Sequence, residues 1–365
     1  MSTTLMSLLV YSLLLCHHAA ATSATVAATP TRRITALYVF GDSTVDPGNN
    51  NYLPSSLFRA NHEPYGSNFP GRVPTGRFTD GRLATDYIAD SLHLSKFIPA
   101  YLDPAHSNRD LLTGVSFASA GSGLDDLTIK ITRALDLTGQ VRYFEEAVNR
   151  VVGLVGKEKA NRTVENALFL ISVGTNDMAV NYFDLPTRAL QFSPSEYSDF
   201  LIARLRDIIQ WLYKLGGRRF AVVGLPPIGC LPIQVTVGSI LNDTHWLQRS
   251  CVDHQNEVSQ VYNGRLQAAL NELQSQYSHA RFVYTDIYSP LDDMISHPSS
   301  YGFERTLEGC CGTGIVEGSS LCNALTPMCP NASTYVFWDS IHPTQAAYHV
   351  IANSIEANVI PKLLS

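Results

Sequence analysis

Four short, almost wholly apolar runs, at 34–40, 167–173, 219–224 and 281–284, most constrain what this chain can fold into. Runs of that length bounded by turn signals read as strands buried on both faces. Such strands belong to parallel sheets covered by helices. Helical spacing supplies the covers. Leu201, Leu205, Ile208, Leu212 and Leu215 make one apolar stripe, stopped by Gly216-Gly217. Val258, Val261, Leu266, Leu270 and Leu273 make a second, and Val350, Ile351 and Ile355 a third, all expected as core contacts. The expected fold is α/β, a three-layer α/β/α sandwich with a central parallel sheet, and no linker-like composition divides residues 32–365. The chain has 365 residues, 45% apolar and only 16% charged, enough to bury a full core. A net charge of −6 offers no basic patch for nucleic acid and no polybasic segment for anionic lipid, so a neutral or apolar substrate fits better.

An apolar run at 5–16 precedes Ala19-Ala20-Ala21, a pattern that predicts a signal peptide over 1–21, with an Ala/Thr-rich flexible lead-in over 22–31. The run is too short to cross a hydrocarbon core of about 30 Å, and no later stretch reads as a span or a lipid-anchor tail, so no stable membrane anchor is expected. Loss of Cys16 with the leader leaves Cys230, Cys251, Cys310, Cys311, Cys322 and Cys329. An even set in an oxidising compartment implies disulfides. Vicinal strain keeps Cys310 from Cys311, and the favoured solution pairs Cys230 with Cys251 and the last four among themselves. A zinc site is the alternative for those four, but they lack paired C-x-x-C knuckles. N-x-[ST] triplets begin at Asn161, Asn242 and Asn331, candidate glycosylation sites that agree with a secreted, extracellular protein.

In open parallel sheets ligands bind beyond the carboxyl ends of the strands, so the chemistry is sought there. Gly41-Asp42-Ser43 follows the first run. A serine on such a strand-to-helix turn is exposed and can offer its own N–H to an anion, although turn or cap chemistry accounts for the tripeptide equally well. Gly174-Thr175-Asn176-Asp177 follows the run at 167–173, and an asparagine amide there can donate to an oxyanion or simply cap a turn. Near the end, Trp338-Asp339-Ser340-Ile341-His342-Pro343 places a carboxylate three residues before a histidine. On a tight turn that carboxylate can hold Nδ1–H and leave Nε2 free to take a serine proton, whereas a metal reading lacks further ligands. Gly114-Val115-Ser116-Phe117-Ala118 imitates a G-x-S-x-G elbow but ends in alanine and is rejected as the nucleophile. Ala120-Gly121-Ser122-Gly123 is a turn where a backbone N–H can approach a ligand.

Taken together, Ser43, Gly121, Asn176 and the Asp339/His342 pair resemble the GDSL esterases/lipases within the SGNH hydrolases, and specifically their plant-type branch. Further matches are Val39-Phe40-Gly41-Asp42-Ser43 running into Asp46-Pro47-Gly48-Asn49-Asn50, then Pro74-Thr75-Gly76-Arg77-Phe78, Gly224-Leu225-Pro226-Pro227-Ile228-Gly229-Cys230 and Tyr335-Val336-Phe337-Trp338-Asp339. Thr44 stands where the family's name has leucine. The resemblance implies a flavodoxin-like SGNH fold and a carboxylic ester hydrolase. Ser43 would be its nucleophile, His342 the general base and then acid, and Asp339 the orienter. The oxyanion hole would comprise the N–H groups of Ser43 and Gly121 with the Asn176 side chain. It implies no metal or cofactor, an extracellular or cell-wall location, and substrates among acyl lipids, cutin-type polyesters, O-acetylated polysaccharides and phenolic esters. Loops at 51–72 and 235–246 are expected to wall the pocket. A non-catalytic wall-binding protein on the same fold is the alternative.

Overall fold

The computed structural model describes residues 33–185, 187–241 and 249–365; the expected leader and lead-in, and the triplet at Asn242, lie outside them. In chain order, the elements that position the site begin with β1 (Leu37–Gly41), α1 (Ala84–Ser91), α2 (Asp126–Thr132), α3 (Leu137–Val155) and α4 (Lys157–Glu165). There follow β2 (Leu168–Ser172), α5 (Pro194–Lys214), β3 (Arg219–Val223), α6 (Pro232–Leu241), α7 (Asp253–Gln276), β4 (Arg281–Thr285) and α8 (Tyr288–Ser296). β5 (Arg305–Gly309), β6 (Tyr335–Phe337) and α9 (Gln345–Asn358) complete the series.

β1 to β4 pair in sequence order, all parallel, with Val39 opposite Leu170, Leu170 opposite Ala221 and Ala221 opposite Val283. Every residue of β1, β2 and β3 is buried, which is why the sequence shows unbroken apolar runs rather than alternation. The rings of Tyr38, Phe40, Phe144, Phe169 and Phe220 fill one face, with Phe40 and Phe169 stacked and Phe144 edge-on to Phe169. The expected strand at 34–40 begins three residues later and includes Gly41. The stripes of α5 and α9 face the core as expected, but Val261 on α7 does not. It is 41% exposed, while Tyr262 beside it is fully buried, because the large ring occupies the inward position.

One edge of the sheet escaped the sequence reading. Residues 115–119 run beside β1 on the side away from β2. Val39 N–H donates to Val115 O, Phe117 N–H to Val39 O and Ser119 N–H to Gly41 O. The chain therefore leaves β1 toward one edge, comes back along it, and only later builds β2 on the other side. That reversal opens a crevice between the end of β1 and the end of 115–119, the place where open α/β sheets bind ligands. A small second sheet of β5 and β6, also parallel, brings the C-terminal segment to the same end.

Candidate active site

Gly41 ends β1 with φ +137°, and a Cβ there would lie 1.8 Å from the Ser172 carbonyl oxygen, so a glycine lets the chain turn away at once. The buried Gln140 amide brackets this residue, accepting from Gly41 N–H at 2.8 Å and donating to Gly41 O at 2.9 Å. Ser43 emerges two residues on. From the other end of the chain, β6 delivers a tight turn closed by Trp338 N–H on the His342 carbonyl at 2.7 Å. Within it, His342 Nε2 lies 2.7 Å from Ser43 Oγ, and Nδ1 lies 2.8 and 2.9 Å from the two oxygens of Asp339. The carboxylate is wholly buried. Its Oδ1 also accepts the N–H groups of Ile341 and His342, and its Oδ2 accepts the Tyr65 hydroxyl at 2.7 Å. Phe78 packs on the imidazole with ring centroids 4.8 Å apart. The ring is thus held on its edges and on a face.

Opposite, residues 115–119 end at Gly121, whose φ is +87°. No group among the described residues takes the N–H of Ser43 or of Gly121. Asn176, in the first helical turn after β2, donates through Nδ2 to the Ser122 carbonyl at 2.8 Å, which leaves its second amide hydrogen unspent. All three expected donors line the same pocket as Ser43 and His342.

A layer of polar residues holds this loop in place. Asp46 accepts from Gly48, Asn49 and Ala120 N–H groups. Asn49 donates to the carbonyls of Ser116 and Ala118, and Asn50 to those of Phe58 and Ala120. These bonds fix Ala120, just before Gly121, through both its N–H and its carbonyl. Asp177 holds the chain beyond the turn, accepting from Leu124 and Asp125 N–H and from the Thr128 hydroxyl. Burial pushes its carboxyl up to about 7 against those donors, and likewise pushes Asp46 up to about 6.

The pocket encloses about 170 Å³ and is walled by Phe58, Thr132, Val180, Ile233, Val316 and Ser319 among others. Ser43 is 8% exposed and His342 5%, and both open onto this pocket. Of the two expected wall loops, 51–72 supplies Phe58. Of the other, residues 235–241 belong to helix α6, from which Ile233, two residues before that stretch, lines the pocket, and residues 242–246 lie outside the described residues. Ser116 is fully buried with its hydroxyl on the Val45 carbonyl, consistent with its rejection as nucleophile. Tyr65 was missed. Its partner stands 274 positions away, and the only local signal was an aromatic residue inside a polar turn.

The six cysteines among the described residues form Cys230–Cys251, Cys310–Cys329 and Cys311–Cys322, in agreement with the favoured solution. The last two staple the loop that carries Val316, Gly318 and Ser319 to the pocket. Asn161 and Asn331 are both exposed.

A hydroxyl, an imidazole and a carboxylate in series at the strand ends of an α/β sheet is the geometry of the serine hydrolases. Residues 37–355 match the family described as GDSL-like Lipase/Acylhydrolase, and the chain belongs to it. It is similar to two Arabidopsis thaliana proteins, 51% identical to GDSL esterase/lipase At2g40250 over 92% of each chain and 45% identical to GDSL esterase/lipase At2g31550 over 88% of each. This is a serine esterase/lipase of plant type. No helix among the described residues is long and apolar enough to cross a membrane.

Proposed function

We propose that the protein is a secreted carboxylic ester hydrolase working through an acyl-enzyme on Ser43. The observation that carries this reading is the Ser43–His342–Asp339 series, with contacts of 2.7 and 2.8 Å. His342 Nε2 takes the Ser43 proton as Oγ attacks the ester carbonyl carbon, and Asp339 holds the ring in the productive tautomer. The negative charge that develops on the carbonyl oxygen is met by the N–H groups of Ser43 and Gly121 and the Asn176 amide. Collapse of the tetrahedral species breaks the ester C–O bond, and His342 returns the proton to the departing alcohol. Water, deprotonated by the same imidazole, then releases the acid and restores Ser43. The three disulfides support an extracellular setting.

The test is turnover of p-nitrophenyl esters by the purified protein together with labelling by a fluorophosphonate. Both are expected in the wild type and both should vanish in Ser43→Ala. Full turnover in that variant would remove the serine from the mechanism. Absence of labelling and turnover in the wild type would favour a binding protein on this fold.

A further inference from the structure

A second cavity opens beside the catalytic pocket and shares Ile341 with it as a wall. It descends between the sheet and helices α1, α8 and α9, and it begins at Thr44 and Pro343, the residues that directly follow Ser43 and His342. Its lining is almost wholly apolar. Along α9 it touches Tyr348, Ile351 and Ile355, two helical turns, or about 10 Å at about 1.5 Å per residue. Yet it encloses only about 70 Å³. A cavity of that reach and volume is a narrow slot, and its shape suits an unbranched chain better than a ring. The Tyr348 hydroxyl, 3% exposed as a residue, lies at the upper end with no partner among the described residues. A ligand or a water in the slot could satisfy it.

The direction of the chemistry assigns the slot. Ser43 and His342 both line the wider pocket, and the slot starts one residue beyond each, at Thr44 and Pro343, so the leaving oxygen that takes the His342 proton lies on the wider side. The alcohol therefore departs through the wider pocket, where the oxyanion donors also sit. We infer that the slot receives the acyl chain of the ester, and that this enzyme is selective for unbranched aliphatic acyl groups. The inference rests on the ester-hydrolase reading of Ser43 and His342.

Ala84 on α1 lines the slot and can be enlarged to fill it. Octanoate and acetate p-nitrophenyl esters are compared in wild type and Ala84→Leu. The kcat/KM ratio of octanoate to acetate is expected to fall about tenfold, the scale on which a hydrophobic pocket senses one or two methylenes. Ile351→Phe, from the facing helix, repeats the test should Ala84→Leu fold poorly by circular dichroism. Independently, calorimetry follows octanoate binding to Ser43→Ala, which Ala84→Leu in the same background should weaken by a similar factor. Octanoate binding that responds to the filling variant, without turnover of any ester by the wild type, would keep the slot and defeat the hydrolase reading. Ester turnover with an unchanged chain-length ratio and no octanoate binding would make the slot a packing void and overturn the inference.

Discussion

The hydroxyl of Tyr65 donates to Oδ2 of Asp339 over 2.7 Å, and the same oxygen of Tyr65 accepts the Ser319 N–H at 2.8 Å. One buried phenol thus joins the carboxylate behind His342 to the disulfide-stapled wall of the pocket. In Tyr65→Phe the carboxylate loses a donor and keeps more of its charge for the imidazole, which favours the imidazolium. The acid limb of the pH–rate profile is expected to move to higher pH, with kcat down about tenfold and KM little changed, in keeping with a hydrogen bond to a charged group. A pH–rate series on both proteins checks this, and an unmoved acid limb would reduce Tyr65 to packing.

Asn176 is the proposed oxyanion donor most open to test, because backbone N–H groups cannot be deleted by substitution. Asn176→Ala should lower kcat by about 10²-fold or more while KM changes far less, since the amide meets charge that exists only in the transition state. Steady-state kinetics on a single ester decide it. A change confined to KM would place the amide in ground-state binding instead.

Activity of the wild type should fall on acidification, because a protonated imidazole cannot accept the Ser43 proton. A pH–rate profile without an acid limb would argue against a histidine base.

Buried Asp177 gives stability its own pH dependence. Burial raises its carboxyl to about 7 in the folded chain, above the value it takes once unfolded. Between those values the folded state holds the proton and the unfolded state does not, so stability contributed by the neutral acid is present at low pH and is lost as pH rises through about 7. Asp177→Asn has no proton to lose. Urea unfolding at pH 5 and at pH 8 should show the variant gaining on the wild type at the higher pH, and a constant difference would contradict this assignment.

Removal of the Cys311–Cys322 bridge, which closes a loop of sequence separation 11, should cost somewhat under about 3 kcal/mol of stability. Paired Cys311→Ser and Cys322→Ser substitutions, followed by thermal unfolding and esterase assay, test it. Because the loop carries Ser319 to the pocket, activity should decline before the fold is lost.

The strands were legible because burial on both faces forces runs such as 167–173 and 219–224 to be apolar throughout. Ser43 and Asn176 stood out because each sits where such a run ends, and the Asp339/His342 turn because a carboxylate stands three residues before a histidine. What stayed hidden was tertiary. The edge at 115–119 is too irregular to announce itself, yet it is what carries Gly121 to the side of Ser43. Asp46, Asn49 and Asn50 were visible as a motif, but nothing local says that their side chains bond to residues near 116–120. Val261 misled because helical spacing marks a stripe without choosing between adjacent apolar residues at its margin.

Ser43 and His342, the proposed nucleophile and base, lie 299 positions apart, one just after the first strand and the other just before the last long helix. A nascent polypeptide emerging from the ribosome therefore carries no competent centre until its final segment is free to fold. Proteolytic fragments should be inert for the same reason, so hydrolysis reports on intact molecules alone.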